Sequence, residues 1–231
     1  MDTIQAQDFA NLTYDMGLEG DKTERINNIQ KKLPDGWKVI SNESNRRKLT
    51  LFNETDNHYH ISQRGTDPKN KKDLLQDASI GILSVGRSNI FKERHNDLMN
   101  TIDEIPSDSK LTMSSHSLGS AQTQYSLSNS KDLSRRVAQV DLFNGASHPI
   151  TNHAFGKVTQ SQKNILRDKV IHHRNEQDLV SSGLKYGGTN MGTIRIYKGK
   201  KVNPFLTTAE RIVLGFSPSN IIAQHSPDFV V

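Results

Sequence analysis

The chain of 231 residues has no cysteine, few aromatic residues and no long apolar run. The absence of cysteine excludes a thiol nucleophile, a thiolate zinc site and a disulfide framework. No stretch approaches the ~20 apolar residues that span a bilayer. The first residues also lack the basic start and apolar core of a signal peptide. We therefore expect a cytoplasmic or membrane-peripheral protein with no transmembrane segment.

The formal net charge of +5 and the pI near 9.3 favour anionic partners, either a nucleic acid or a membrane surface. The basic residues lie in scattered pairs such as Arg46-Arg47 and Arg135-Arg136. Aromatic residues make up only 6% of the chain, which is poor material for stacking bases. Specific nucleic-acid binding is therefore not expected, although charge alone keeps a basic nucleic-acid-binding module as a hypothesis.

The pattern of apolar residues predicts an α/β protein. The length suits one domain over residues 1–231, with residues 1–34 as a helical N-terminal appendage. A further helix is predicted from residue 88 to Pro106, because its apolar residues recur at spacings of three and four. Alternating or clustered apolar residues predict strands at 37–40, 48–52, 59–62, 110–115, 136–143, 169–173 and 193–197.

One pentapeptide, Ser115-His116-Ser117-Leu118-Gly119, lies between a predicted strand and a predicted helix. This is the context of a nucleophile elbow, in which a sharp turn projects a serine hydroxyl above a sheet. Small residues are needed two positions before and after that serine, because strand and helix nearly touch there. The usual pattern is G-x-S-x-G, and Ser115 stands in place of its first glycine. Ser117 is therefore the candidate nucleophile.

A serine nucleophile needs a base and an acid, which in this fold follow it in the order Asp or Glu, then His. Asp178 follows the predicted strand that ends at His173, and His225 lies near the C-terminus. These two residues are the candidate acid and base. Rival acids are Asp141 and Asp168, interpreted as structural or exposed; rival bases are His148, His153, His172 and His173, which precede Asp178, the last two interpreted as strand surface residues.

Three segments together resemble the class 3 lipases, the fungal-lipase-like branch of the α/β-hydrolases. The segment from Tyr59 to Asp67 resembles the strand that ends in F-R-G-T, with Gln63 in place of the usual aromatic residue. The elbow resembles G-H-S-L-G-G, with serine at 115 and 120. The segment from Arg174 to Val180 resembles the N-x-x-D-x-V acid segment. Asp77 also matches a position where the family often has an aspartate.

The resemblance implies a three-layer α/β-hydrolase fold, with a mostly parallel sheet and N-terminal helices packed outside. It implies a serine lipase or phospholipase-like esterase of lipid metabolism that acts on phospholipid or acylglycerol esters through an acyl-enzyme and needs no cofactor. It assigns Ser117, Asp178 and His225 to a catalytic triad. It assigns Thr66 and the backbone N–H of Leu118 to the oxyanion hole, while His116 is interpreted as structural.

Several other interpretations bear on function. A metal site is not expected, because no H-E-x-x-H or similar spacing occurs. Lys69, Lys71 and Lys72 fit either a charged surface loop or a positive rim for anionic head groups. The apolar run 80–85 fits a buried segment or an interfacial patch. A non-catalytic lipase-fold protein that serves membrane or protein interaction, for instance in a viral particle, is the alternative to an enzyme.

Overall fold

The computed structural model describes residues 1–18, 20–65, 89–145, 158–175 and 191–197. Seven strands form one sheet, and their order across the sheet equals their order along the chain. The predicted strands are confirmed with small shifts at their ends. They are β1 (Trp37–Val39), β2 (Lys48–Asn53), β3 (His58–Gln63), β4 (Lys110–His116), β5 (Gln139–Phe143), β6 (Val170–Asn175) and β7 (Thr193–Tyr197).

The sheet is mostly parallel. Strands β1, β2 and β3 are antiparallel neighbours, whereas β3 to β7 run parallel to one another. A turn at residues 54–57 joins β2 to β3, and Asn57 takes a positive φ of 44° there. Parallel strands end at a common edge of a sheet. We call it the carboxyl edge; β3, β4, β5, β6 and β7 end there at Gln63, His116, Phe143, Asn175 and Tyr197.

Helices cover one face of the sheet with the larger apolar core. They are α3 (Asn89–Glu104), α4 (Leu118–Asn129), α5 (Lys131–Arg136) and α6 (Gln160–Leu166). Helix α3 buries Leu98 and Ile102, as its apolar spacing predicted. These side chains join Leu127 and Leu133 of the neighbouring helices against the sheet. The strands contribute Ile61, Leu111, Met113, Val140, Leu142 and Val170 to the same core.

Helix α1 (Thr3–Asp15) covers the opposite face, and α2 (Lys22–Gln30) packs beside it near β1. The aspartates at 2 and 21 accept hydrogen bonds from the first backbone N–H groups of the two helices, as N-caps do. Phe9 and Trp37 meet edge to face with ring centroids 4.9 Å apart. Helices thus lie on both faces of the sheet, and the predicted three-layer fold is confirmed.

A layer of buried polar side chains lies on the sheet face beneath α1. The hydroxyl of Thr112 bonds both His58 and His60, at 2.7 and 2.8 Å. The other ring nitrogen of His60 bonds Ser114 and Ser62, whose hydroxyls are 2.6 Å apart. Burial lowers the pKa of His58 to about 4 and that of His60 well below its ordinary value. Both rings are therefore neutral at pH 7, and their hydrogen bonds satisfy these buried polar groups.

Candidate active site

Ser117 forms the turn between β4 and α4 at the carboxyl edge. Its backbone has φ 56° and ψ −124°, a region that non-glycine residues rarely occupy and that costs of order 1–3 kcal/mol. Its N–H donates to the carbonyl of Phe143 at 3.0 Å, and its own carbonyl accepts from Ser120 at 3.0 Å. Neighbouring backbone thus holds the strained turn on both sides. This is the strand–turn–helix geometry expected of a nucleophile elbow.

Gly119 lets α4 approach the end of β3. A Cβ at this position would lie 2.3 Å from the carbonyl oxygen of Gln63 and 2.9 Å from the carbonyl carbon of Arg64. Real Cβ atoms do not come this close to backbone atoms, so only glycine fits. Two residues after Ser117, α4 therefore nearly touches the end of β3, the strand beside the one that leads into the turn.

Gly65 brings the segment after β3 against the turn at Ser117. A Cβ on Gly65 would lie 2.7 Å from the carbonyl oxygen of His116 and 2.8 Å from the Cβ of Ser117. The residue after Gly65 is Thr66, the predicted oxyanion-hole residue, which lies outside the described residues. Leu118 is the first residue of α4, so its N–H has no acceptor within that helix. Its role in an oxyanion hole stays a prediction.

The serines that replace two glycines of the usual elbow are buried and hydrogen-bonded. The Ser120 hydroxyl donates to the carbonyl of Ser115 at 3.0 Å, and its Oγ is 3.4 Å from that of Ser115. Thr123 of α4 donates to the Ser115 hydroxyl at 3.2 Å. Ser115 and Ser120 are both fully buried. Hydrogen bonds between strand and helix therefore stand where glycines would leave only close backbone contact.

His116 contacts the N-terminal helix. Its Nδ1 lies 2.6 Å from the hydroxyl of Tyr14 in α1, and the two rings meet edge to face at 5.7 Å. The guanidinium of Arg64 lies 6.0 Å from the centre of the Tyr14 ring. No sequence pattern points to Tyr14, because 102 positions separate it from His116. The tyrosine links α1 to the residue directly before Ser117.

The predicted acid and base, Asp178 and His225, lie outside the described residues, so their assignment stays a prediction. Several other residues singled out from the sequence also lie outside the described residues: His148, His153, Lys69, Lys71, Lys72, Asp77 and the apolar run 80–85. Asp168, another rival acid, is exposed in the turn before β6. No group of three metal-binding side chains occurs among the described residues.

The interpretation of His172 and His173 as strand surface residues was wrong. Both are buried, and the ring of His173 stacks on that of Phe143 with centroids 4.7 Å apart. His173 bonds Asp141 at 2.7 Å through Nε2 and the hydroxyl of Tyr197 at 2.9 Å through Nδ1. His172 donates through Nε2 to the carbonyl of Met191 at 2.8 Å, and burial lowers its pKa to about 4. These rivals are engaged within the sheet.

Comparison with solved structures finds lipases among the similar chains. Lipase II from Rhizopus niveus is 16% identical and superposes with a TM-score of 0.56, covering 97% of this chain and 94% of that one. The lipase from Rhizopus microsporus var. chinensis is 13% identical, with a TM-score of 0.46 and coverage of 87% and 77%. M37 lipase is also 13% identical, with a TM-score of 0.49 and coverage of 96% and 94%.

Neither a family model nor a curated protein sequence matches the chain. Within the described parts of the chain, no helix has the length and apolar character needed to cross a membrane. The resemblance to fungal lipases is therefore a likeness of fold, and the described part of the chain has the α/β-hydrolase fold seen in Rhizopus niveus lipase II.

Proposed function

We propose that this chain is a serine esterase that hydrolyses carboxylic esters of lipids, a phospholipid or an acylglycerol, through an acyl-enzyme. The positive-φ turn at Ser117 between β4 and α4 is the observation that supports the proposal. Such strain persists only where the surroundings impose it, and it is typical of functional sites. A strand–turn–helix with a serine at its strained position is the context that acyl transfer by this fold requires.

In the proposed reaction, His225 takes the proton of the Ser117 hydroxyl while Oγ bonds to the ester carbonyl carbon. Asp178 orients the imidazole and stabilises its charged form. His225 then returns the proton to the departing alcohol as the ester C–O bond breaks. Water, deprotonated by the same histidine, bonds to the acyl carbon; the bond from that carbon to Ser117 Oγ breaks, the histidine returns the proton to Oγ, and the acid is released. The residues of the chain supply every group needed, so no cofactor enters the reaction.

The carbonyl oxygen gains negative charge when Oγ attacks. In the proposed site, the N–H of Leu118 and the N–H and side chain of Thr66 stabilise this charge. Two observations support the arrangement. Leu118 begins α4, whose N-terminus carries a partial positive charge. Gly65, the residue before Thr66, lies against Ser117. Both donors would then approach the same side of the attacked carbonyl.

Hydrolysis of p-nitrophenyl butyrate by wild type, Ser117→Ala and Ser128→Ala tests the proposal. Ser128 is a half-buried serine further along the same helix, so its substitution controls for loss of a helical hydroxyl. We expect Ser117→Ala to lose at least about 10³-fold in kcat/KM and Ser128→Ala to stay near wild type. Turnover that survives in Ser117→Ala contradicts the assigned nucleophile. Wild type that turns over no acyl ester or lipid indicates the non-catalytic alternative.

A further inference from the structure

A pair of arginines lies at the carboxyl edge because β2 runs opposite to its neighbour. Strand β2 begins there, and Arg46 and Arg47 directly precede it. The carbonyl of Arg47 accepts the N–H of Arg64 at 2.9 Å, which continues the β2–β3 pairing by one residue. Gln63 of β3 pairs with Ser115 of β4, so the next residues, Arg64 and His116, are neighbours across the sheet. Two strand spacings, about 10 Å, therefore separate the backbones of Arg47 and the residue before Ser117.

The first turns of α3 lie at the same edge. Phe91 packs against Leu118 and Ala121 of α4, and its ring meets that of Tyr125 at 5.6 Å. Leu118 directly follows Ser117 in the chain. Arg94 follows Phe91 by three residues, less than one helical turn, and so lies near the same edge. The β2 arginines and the start of α3 thus flank the turn that holds the proposed nucleophile.

A groove of about 380 Å³ separates these two elements. This volume is within the range of small-molecule sites. Among the described residues, three arginines and two carboxylates line the groove, and the buried Lys48 pairs with one of these carboxylates, which leaves an excess of two positive charges. The Asp97 carboxylate is engaged, because Lys48 lies 3.0 Å from it and the Asn45 amide donates to it at 3.1 Å. The residues that line the groove are Asn45, Arg46, Arg47, Glu93, Arg94 and Asp97.

We propose that this groove binds the phosphate diester of an anionic glycerophospholipid whose acyl ester is presented to Ser117; the inference rests on the proposed function. Guanidinium groups match phosphate oxygens in shape and charge and bind them through paired hydrogen bonds. A glycerol backbone holds a phosphate and an acyl ester only a few bonds apart. The backbones of Arg47 and the residue before Ser117 are about 10 Å apart, and an arginine side chain is long enough to cover much of that distance, so the few bonds between phosphate and ester can cover the rest.

Arg47 is the test position, because its side chain is exposed and lines the groove. Arg135→Gln is the matched control, since it removes the same charge from an exposed arginine in α5, which leads into the opposite edge of the sheet. The substrates are dihexanoylphosphatidylglycerol below its critical micelle concentration and uncharged dihexanoylglycerol. Monomeric lipid removes any contribution of a membrane surface. The quantity compared is the ratio of kcat/KM for the charged over the uncharged ester.

We expect Arg47→Gln to lower this ratio about 5–10-fold, mainly through KM of the phospholipid, and Arg135→Gln to change it by less than about twofold. Equal effects of the two substitutions overturn the inference. An unchanged ratio with weaker binding to anionic vesicles also overturns it, because the arginines then attract a surface and do not form a subsite.

Two further measurements separate the possible outcomes. Glycerophosphoglycerol should inhibit hydrolysis of the uncharged ester competitively and more strongly than inorganic phosphate does; equal inhibition means that the groove takes any phosphate and contradicts a lipid subsite. If neither ester is hydrolysed, the proposed function fails. Equilibrium binding of the monomeric phospholipid to wild type and Arg47→Gln then tests the groove alone, and equal affinities overturn it.

Discussion

Substitution of Gly119 by alanine tests the packing that shapes the turn at Ser117. Two effects oppose each other. Alanine favours a helix over glycine by about 1 kcal/mol, so propensity alone predicts a gain in stability. The new Cβ would lie 2.3 Å from the Gln63 carbonyl oxygen, however, about 1 Å inside ordinary contact. The atoms that it meets belong to the backbone, so no side-chain rotation relieves the overlap.

Helix α4 must therefore move away from β3 by about 1 Å. Overpacking of this kind costs typically 1–3 kcal/mol, and subtracting the propensity gain of about 1 kcal/mol leaves a net loss of up to about 2 kcal/mol. The larger effect is expected on activity. The N–H of Leu118 moves with the start of the helix, and a displacement of about 1 Å at a catalytic group can cost about 100-fold in rate.

Urea unfolding followed by the fluorescence of Trp37, the single tryptophan, measures the stability change. Hydrolysis of a soluble acyl ester measures the activity change. Asn129→Ala, at the exposed C-terminal end of the same helix, is the control and should stay within about 0.5 kcal/mol of wild type. A Gly119→Ala protein as stable and as active as wild type would refute the described contact between α4 and β3.

Three further substitutions test the buried polar contacts. The folded-state pKa of His172 is about 4, whereas its ordinary value is 6.5. As pH falls from 7 to 4, the unfolded chain takes up this proton before the folded protein does, so the free energy of unfolding falls. His172→Gln keeps a hydrogen-bond donor but does not titrate, so its free energy of unfolding in urea should fall by about 3 kcal/mol less than that of wild type between pH 7 and pH 4. Tyr14→Phe removes the hydroxyl that bonds His116, and we expect the free energy of unfolding to fall by about 1 kcal/mol. If Tyr14 helps to position the turn at Ser117 through His116, kcat should fall by more than KM rises. Unchanged values of kcat and KM would contradict this role. The buried Asp141 carboxylate accepts hydrogen bonds from Gln139 and His173. Asp141→Asn replaces one of its oxygens with an NH₂ donor, and thermal unfolding should show a loss of about 2 kcal/mol in stability. A variant as stable as wild type would count against this contact.

Sequence pattern predicted the parts of the fold that depend on local periodicity. The run of apolar residues in α3 follows one helical face, and the small residues around Ser117 mark the close approach of α4 and β3. Both signals reflect steric requirements that act within a few residues. They therefore indicated the strands, the helices and the strained turn without any knowledge of distant contacts.

Polar residues inside the sheet were not predictable in the same way. Alternating histidine, serine and threonine in β3 and β4 is the pattern of a strand with one solvated face, yet α1 covers that face. The error at His172 and His173 has the same origin, because polar residues read as exposed until their hydrogen-bond partners are known. The pairing of Tyr14 with His116 and the groove beside Arg47 likewise depend on contacts between distant segments.

Labelling with a fluorophosphonate, followed by mapping of the modified peptide, tests the central claim most directly. The probe reacts with a serine hydroxyl only where a base activates it and donors stabilise the developing charge. We expect one adduct per chain, on the peptide that contains Ser117, with none in Ser117→Ala and slower labelling in the presence of a short-chain ester. An adduct on another residue, or no adduct on native protein that keeps its fold, would contradict the account.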